Sequence, residues 1–345
     1  MPRSRSGVAS LGIAIASAMA FGTSGTLVKP LLESGWSPVA AVVVRVVAGG
    51  LVLLVPSLLV LRGDLRPVWR SRWRVLGYGA FAVAGTQLAY FAAIQRIPVG
   101  MALLIEYLAP LLLVGVMWVR TRRMPRALVL TGSALSVAGL LLVIGVVGGT
   151  AASGAVDPIG ILYAALAALG LAAYFLIGAM PGGDVPPLAF AGSTLLVGGA
   201  LLGIVALTGL LPFTVGPPDA ILLGAQVPDW LIVAAIALVP TALAYVLGIA
   251  ATGRLGARTA SFVGLAEVLF AAVFSWLLLG ETLTPLQLVG GALIVGGIAC
   301  VRLAPPDEVP ATSDPAASAS IGDAPATDVE ALLEPGSERG RLPAA

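Results

Sequence analysis

Two glutamates, Glu106 and Glu267, stand in the middle of long apolar runs. On insertion scales a charged side chain at the centre of a bilayer costs about 2.5–3.5 kcal/mol. An arginine, Arg45, stands in a third apolar run. Ionisable residues in such runs usually face other helices or a water-filled cavity, where they bind ions, protons or polar substrates. These three residues are therefore the first candidates for chemistry.

Helix geometry predicts that Arg45, Gln87 and Glu106 share one level of the bilayer. At about 1.5 Å per residue they lie roughly 10, 12 and 13 Å from the same surface, and Tyr90 lies one turn from Gln87 on the same helix face. We expect Arg45 to pair with Glu106 in at least one state. In a cavity, the two could also bind the carboxylate and the ammonium of a zwitterionic substrate, because arginine offers a carboxylate two parallel hydrogen bonds. The alternative is a purely structural salt bridge.

Glu267 is predicted to lie about 16 Å from the opposite surface, near the midplane. The apolar segments offer it no obvious basic partner. Burial of a lone carboxyl favours its protonated form, which suits a group that loads and releases a proton during transport. The alternative is a neutral glutamate that hydrogen-bonds a backbone group or a hydroxyl.

The composition is that of an integral membrane protein: 59% of the 345 residues are hydrophobic, only 10% are charged, and the mean hydropathy is +1.03. Histidine is absent and Cys300 is the single cysteine. Metal sites built from these residues, and Ser-His or Cys-His catalysis, are therefore almost excluded. We expect no enzyme activity, no cofactor and no metal. The basic residues reflect orientation in the membrane, so no nucleic-acid partner is expected.

Ten segments are long and apolar enough to cross a bilayer, which predicts an all-α membrane protein. The segments are 8–28, 38–61, 75–95, 98–119, 126–147, 159–180, 188–210, 230–252, 257–279 and 284–302. If the N-terminus is cytoplasmic, only Lys29 and Arg96 of the 19 basic residues fall on the outer side, and Arg45 falls within a span. The positive-inside rule therefore predicts that both termini are cytoplasmic. The membrane is expected to be the inner membrane of the cell. The arginines of loops 62–74 and 120–126 are primarily signals of this topology, and contact with anionic lipid is a secondary effect.

The two halves of the chain resemble each other. The match between 85–90 and 240–245, which aligns Tyr90 with Tyr245, is followed by matches of 108–110 with 265–267 and of 132–139 with 290–297. We therefore predict two five-helix repeats, 8–147 and 159–302, which enter the membrane in opposite orientations because five is an odd number. In such carriers the substrate site lies at the repeat interface near the midplane.

Three further kinds of candidate residue follow. Tyr245 joins Tyr90 as a candidate for the cavity wall. Pro110 and Pro240 lie within spans and could kink or hinge their helices. Small residues at four-residue spacing, Gly132 with Ser136 and Ala292 with Gly296, predict close packing of the fifth and tenth spans.

Two stretches carry a family resemblance. The run 279–287, LGETLTPLQ, resembles the end of the ninth span in EamA-type carriers of the drug/metabolite transporter superfamily. The stretch from Ile97 to Pro110, with its central Glu106, is similar to the threonine/homoserine exporter branch. The resemblance covers roughly residues 8–303. It implies export of small metabolites, often amino acids, nucleotide-sugars or drugs, and usually coupling to an ion gradient.

These observations favour a secondary carrier that exports a small polar metabolite, such as an amino acid, by alternating access. Drug or antibiotic efflux and metabolite uptake remain alternatives, as do an intramembrane enzyme and a scaffold that transports nothing. The partners expected are a small-molecule substrate and the lipid bilayer, and the sequence leaves proton coupling and a homodimer open. Residues 303–345, rich in acidic residues, alanine and proline, are predicted to form a disordered cytoplasmic tail.

Overall fold

The computed structural model describes residues 3–97, 99–143, 157–180, 185–210, 212–222, 224–280 and 284–304. The predicted tail beyond residue 304 and the residues 281–283 of the family-like run lie outside this described part. The first half contains the helices α1 (Arg3–Glu33), α2 (Pro38–Val60), α3 (Arg66–Arg70), α4 (Arg72–Gly77), α5 (Thr86–Ile94), α6 (Val99–Glu106), α7 (Ala109–Thr121) and α8 (Ala127–Val143). The second half contains α9 (Pro158–Ala179), α10 (Pro187–Leu207), α11 (Asp229–Ile236), α12 (Ala244–Gly264), α13 (Ala266–Leu279) and α14 (Pro285–Leu303).

Local sequence explains where several of these helices begin. The side chain of Ser37 accepts a hydrogen bond from the Ala40 N–H, and Asp157 accepts one from the Ile159 N–H, just before α2 and α9. Each cap precedes a proline in the first turn, where the missing N–H costs nothing. Hydrogen bonds from Arg96 and from the backbone of Ile159 hold the pKa of the Asp157 carboxyl below its ordinary value.

Eight helices are long and apolar enough to cross a membrane, and two shorter apolar helices, Ala127–Val143 and Ala266–Leu278, accompany them within the described residues. The region 229–264 counts as one of the eight although Gly256, at φ 77° and ψ 161°, interrupts its helical backbone. The structure thus shows a helical membrane protein, and the tenfold span count stays a prediction.

A short antiparallel hairpin departs from the all-α prediction. Strand β1 (Asp219–Leu222) pairs with β2 (Ala225–Pro228), with Ala220 opposite Val227. The hairpin lies in the loop that joins α10 to α11. The sequence signal was weak because each strand holds only four residues.

Contacts between loops define the two ends of the helix bundle. At one end, the Trp36 indole N–H donates to Asp229 at 2.7 Å, and Arg96 pairs with Asp157 at 3.0 Å. We call this the Trp36 end. At the opposite end, the Arg74 guanidinium donates to the carbonyls of Ile177 and Gly178 at 3.1 and 3.3 Å. We call this the Arg74 end, and the exposed arginines of loops 62–74 and 120–126 lie on it.

Both halves contain a π-helix in the corresponding place. The π-helix π1 (Tyr78–Gly85) leads into α5, and π2 (Ala237–Leu243) leads from α11 into α12. The buried Thr86 hydroxyl donates to the carbonyl five residues earlier at 3.0 Å, and Thr241 does the same at 2.9 Å. These two threonines are the ones that the internal repeat aligns. Matching departures from α-geometry therefore support the similarity of the halves.

The helices that carry the two glutamates are also interrupted at comparable places. A turn at Tyr107 and Leu108 separates α6 from α7, and Leu265 separates α12 from α13. Pro110 follows the first break and belongs to the opening turn of α7, where its ring is tolerated. Pro240 lies inside π2, where the α-helical hydrogen-bond pattern is already altered. Both prolines are buried.

Glycines bring α8 and α14 into close contact. A Cβ added to Gly132 would lie 2.8 Å from the Gly297 carbonyl oxygen, and one added to Gly290 would lie 2.7 Å from the Gly139 oxygen. The predicted packing of these two helices is therefore present, but the predicted pair on α14, Ala292 and Gly296, does not form the contact. Ala292 is exposed, and a Cβ on Gly296 would meet only a leucine methyl group at 4.0 Å. Gly290 and Gly297, seven residues apart, form the face of α14 instead.

Candidate functional site

A cavity lies between helices from both halves of the chain. It has two adjoining lobes, with empty volumes of about 1360 Å³ and 840 Å³, including the space that opens to the outside. The larger, outer lobe reaches Lys29, Leu32 and Pro38 near the Trp36 end. The smaller, deep lobe extends to Thr252 and Ala260. The residues lining both lobes are Phe21, Ser24, Arg45, Gln87, Glu106, Tyr107 and Glu267.

Arg45 reaches the cavity from the middle of α2. One of its Nη atoms donates to the Ser24 hydroxyl of α1 at 2.6 Å, and its buried Nε–H has no hydrogen-bond partner among the described residues. In that same part of the chain, no carboxylate oxygen lies within 4.0 Å of the guanidinium. The predicted ion pair with Glu106 is thus not formed in this conformation. It stays a prediction for another state.

Glu106 is the last residue of α6 and faces both lobes. Tyr107 follows it directly and also lines both lobes. Neighbouring residues of a regular helix point about 100° apart. The turn at 107–108 interrupts that regularity, so the two side chains can share one cavity. From the sequence, Tyr107 could line a cavity, but Tyr90 and Tyr245 are favoured over it because the repeat aligns those two.

Glu267 lies in the first turn of α13, and its carboxyl is close to the Tyr107 hydroxyl. Glu267 forms no ion pair with Arg45 in this conformation, so the expectation that it has no basic partner stays a prediction. It does face the same cavity as Arg45. One guanidinium therefore faces two carboxyl groups, one contributed by each half of the chain.

The remaining candidates divide between the two lobes. Gln87 lines both, Tyr90 lines only the outer lobe, and Tyr245 lines only the deep lobe. The two tyrosines that the repeat aligns thus lie on different sides of the central charged groups. Neither Pro110 nor Pro240 lines a lobe.

Aromatic rings form one wall of the deep lobe. Tyr245 contacts Phe21 and Tyr174 edge-on, with ring centres 5.3 and 5.9 Å apart. Tyr174 in turn contacts Tyr78, which lies 5.2 Å from Phe190. This cluster was not predicted, because it draws its rings from five helical segments.

Arg74 covers the aromatic cluster from the other side. Its guanidinium carbon lies 4.7 Å from the centre of the Phe190 ring while its N–H groups bind the last carbonyls of α9. The outer lobe therefore extends towards the Trp36 end. Packed rings lie between the deep lobe and Arg74, and the deep lobe also reaches Thr252, which lies beside Gly178 of the Arg74 end. Within the described residues, no group of three or more acidic or cysteine side chains could hold a metal ion.

Comparison with known proteins identifies the type of molecule. The EamA-like transporter family matches the chain twice, over residues 9–145 and 158–303. The threonine/homoserine exporter RhtA of Escherichia coli strain K12 is 30% identical over 238 residues, which are 68% of this chain and 72% of that protein. An uncharacterized transporter of Archaeoglobus fulgidus is 28% identical over 234 residues, covering 68% of this chain and 78% of its own.

A solved crystal structure shares the fold. It superposes with a TM-score of 0.69 at 20% sequence identity and covers 86% of this chain and 98% of its own. The resemblance inferred from the sequence is thus confirmed, including the similarity to a threonine/homoserine exporter. With both halves matching one family, the chain belongs to the EamA-like transporter family.

Proposed function

We propose that this protein is a secondary active exporter of a small polar metabolite, such as an amino acid, which works by alternating access in the inner membrane. The observation that carries the proposal is the convergence of Arg45, Glu106 and Glu267 on one cavity between the two halves. A cavity of this kind serves transport, since charged side chains in a membrane protein mark substrate or ion pathways. The threonine/homoserine exporter among its relatives supports the substrate class.

The proposed topology has ten spans in two inverted repeats, 8–147 and 159–302, with a cytoplasmic tail, 303–345. Its support is the grouping of charges. The Arg74 end carries the exposed arginines of both long arginine loops, whereas Arg96 lies at the Trp36 end in a pair with Asp157. By the positive-inside rule the Arg74 end is cytoplasmic. The outer lobe, which reaches the Trp36 end, then faces outward.

Arg45 and Glu106 are proposed to bind a zwitterion. The Arg45 guanidinium uses one donor on Ser24 and keeps others for a substrate carboxylate. Glu106 would then accept the substrate ammonium. Gln87, at the same level, supplies an amide, while Tyr90 and Tyr245 form the walls on either side.

Glu267 is proposed to carry the coupling proton. Because Glu267 lines the same cavity as Arg45 and Glu106, its charge acts where the substrate is proposed to bind, and Tyr107 lines that cavity beside it. When both acids are ionised, the residues that line both lobes carry one more negative charge than positive charges, since Lys29 lines only the outer lobe. A proton or a substrate ammonium restores the balance.

The test is flux through proteoliposomes that contain only the purified protein. Labelled threonine, homoserine and a panel of other amino acids are loaded inside, and their efflux is followed with and without a pH gradient. A substrate-specific flux accelerated by the gradient is the expected result. If no compound moves although the protein is folded and inserted, an intramembrane enzyme or a scaffold becomes the better account.

A further inference from the structure

The segment between α2 and π1 presents two large aromatic rings to the outside. Trp69 of α3 is 71% exposed and Trp73 of α4 is 73% exposed. Leu65 and Leu76, at the two ends of the segment, are also exposed. Tryptophan side chains are enriched where protein meets the boundary between lipid and water. This surface is therefore suited to the headgroup region of a bilayer.

Arg72 lies between the two rings. Its guanidinium carbon is 5.4 Å from the centre of the Trp69 ring and 5.5 Å from that of Trp73. One N–H also donates to the Trp69 carbonyl at 3.3 Å. Such cation–π contacts orient a guanidinium, and four of its five N–H donors remain for another group.

The charge of the segment is strongly positive, with few carboxylates near it in the described part of the chain. Residues 62–74 hold five arginines and one acid, Asp64, which accepts the Arg66 backbone N–H. Within the described residues, no carboxylate oxygen lies within 4.0 Å of the guanidinium nitrogens of Arg62, Arg66, Arg70 or Arg72. All four of these side chains are exposed. This exposed positive charge suits an anionic ligand.

Arg74 points into the protein, in contrast to Arg72. Two residues after Arg72, it binds the carbonyls of Ile177 and Gly178 and lies over Phe190. The protein itself thus engages Arg74, whereas Arg72 is oriented by two rings towards the outside.

We propose that Trp69, Arg72 and Trp73 form a binding site for an anionic phospholipid, with Arg72 on the lipid phosphate and the indole rings among the headgroups. Arginine binds phosphate oxygens through paired N–H groups. The neighbouring arginines favour a lipid with net negative charge over a zwitterionic one. The site is independent of what the central cavity carries.

Native mass spectrometry of the full chain tests the proposal. The purified protein is titrated in neutral detergent with phosphatidylglycerol or phosphatidylcholine, and the bound lipids are counted. We expect a preference for phosphatidylglycerol, which Arg72→Gln weakens about tenfold at the tightest site because a charge-assisted hydrogen bond is lost. Replacing both tryptophans with alanine keeps every charge and should weaken the same site. Arg72→Lys should give an intermediate loss.

Arg123→Gln is the matched control, since Arg123 is an exposed arginine of the other loop, and no aromatic ring is stacked on it within the described residues. It should change the affinity by less than about twofold. If Arg72→Gln and Arg123→Gln weaken lipid binding equally, general surface charge explains the effect and the proposed site is refuted. So would unchanged binding after loss of both rings, or equal affinity for the two lipids. Unchanged gel-filtration profiles and melting temperatures verify that each variant is folded.

Discussion

Replacing Arg45 with lysine keeps the positive charge of the cavity but removes the planar fork that can hold a carboxylate with two hydrogen bonds. If Arg45 binds the substrate carboxylate, Arg45→Lys should raise the KM for transport and leave the amount of folded protein unchanged. A lysine ammonium reaches the carboxylate as a point charge, with less directional hydrogen bonding.

The magnitude follows from the donors that the structure leaves available. Ser24 occupies one Nη of Arg45, and the Nε–H has no partner among the described residues. A bidentate contact therefore has two donors to use, and lysine forfeits one charge-assisted bond, which contributes about 1.5–3 kcal/mol. Each 1.4 kcal/mol is tenfold in affinity, so the KM should rise roughly 10- to 150-fold.

The assay is exchange of a labelled amino acid in proteoliposomes, with protein densities matched by quantitative blotting. Ser24→Ala is the control variant, because it removes the Arg45 contact within the protein but leaves the fork intact. Its KM should rise much less. An Arg45→Lys protein whose KM stays within about twofold of the original would refute direct carboxylate binding. An equal loss in both variants would assign Arg45 to a structural contact with α1.

Three further variants test separate features. Glu267→Gln should uncouple transport, so that exchange continues while a pH gradient no longer accelerates efflux; a flux that keeps its pH dependence would remove Glu267 from the proton pathway. Gly139→Ala places a Cβ 2.5 Å from the Gly290 carbonyl oxygen and should destabilise the fold by about 1–3 kcal/mol, whereas Gly296→Ala meets nothing closer than 4.0 Å and should leave the melting temperature unchanged. Thr86→Val and Thr241→Val each remove a buried hydrogen bond to a π-helical carbonyl and should each cost about 1 kcal/mol; melting temperatures equal to that of the original protein would contradict this role.

Residue counting predicts depth along a helix but not position around the bundle. It grouped Arg45, Gln87 and Glu106 at one level, and the structure brings all three to one cavity. Residue counting could not show that Glu267 faces the same cavity as Arg45. The pattern of apolar residues does not tell which helices are neighbours in the bundle. The family and the helical character could be predicted because hydrophobic segments, and their repetition along the chain, are visible in the sequence itself.

Local departures from regular helix were harder to predict. The turn that lets Tyr107 join Glu106 and the two π-helices depend on which backbone groups find partners after packing. The choice of Gly290 and Gly297 rather than Ala292 and Gly296 as the face of α14 depends on the angle at which α8 crosses it. Both small-residue patterns of α14 are regular in the sequence. Only the packing of α8 determines which of them forms the contact.

The paired π-helices have a consequence for the geometry of motion. A π-turn contains more residues than an α-turn, so converting it to α-geometry shifts the register of the helix beyond it by about 1.5 Å and 100° for each residue absorbed. Gln87 and Tyr90 lie beyond π1, and Tyr245 lies beyond π2. Each half thus has π-helical turns, which contain extra backbone, directly before its cavity-lining residues. A change between the two helix geometries would therefore change the direction in which these side chains face the cavity.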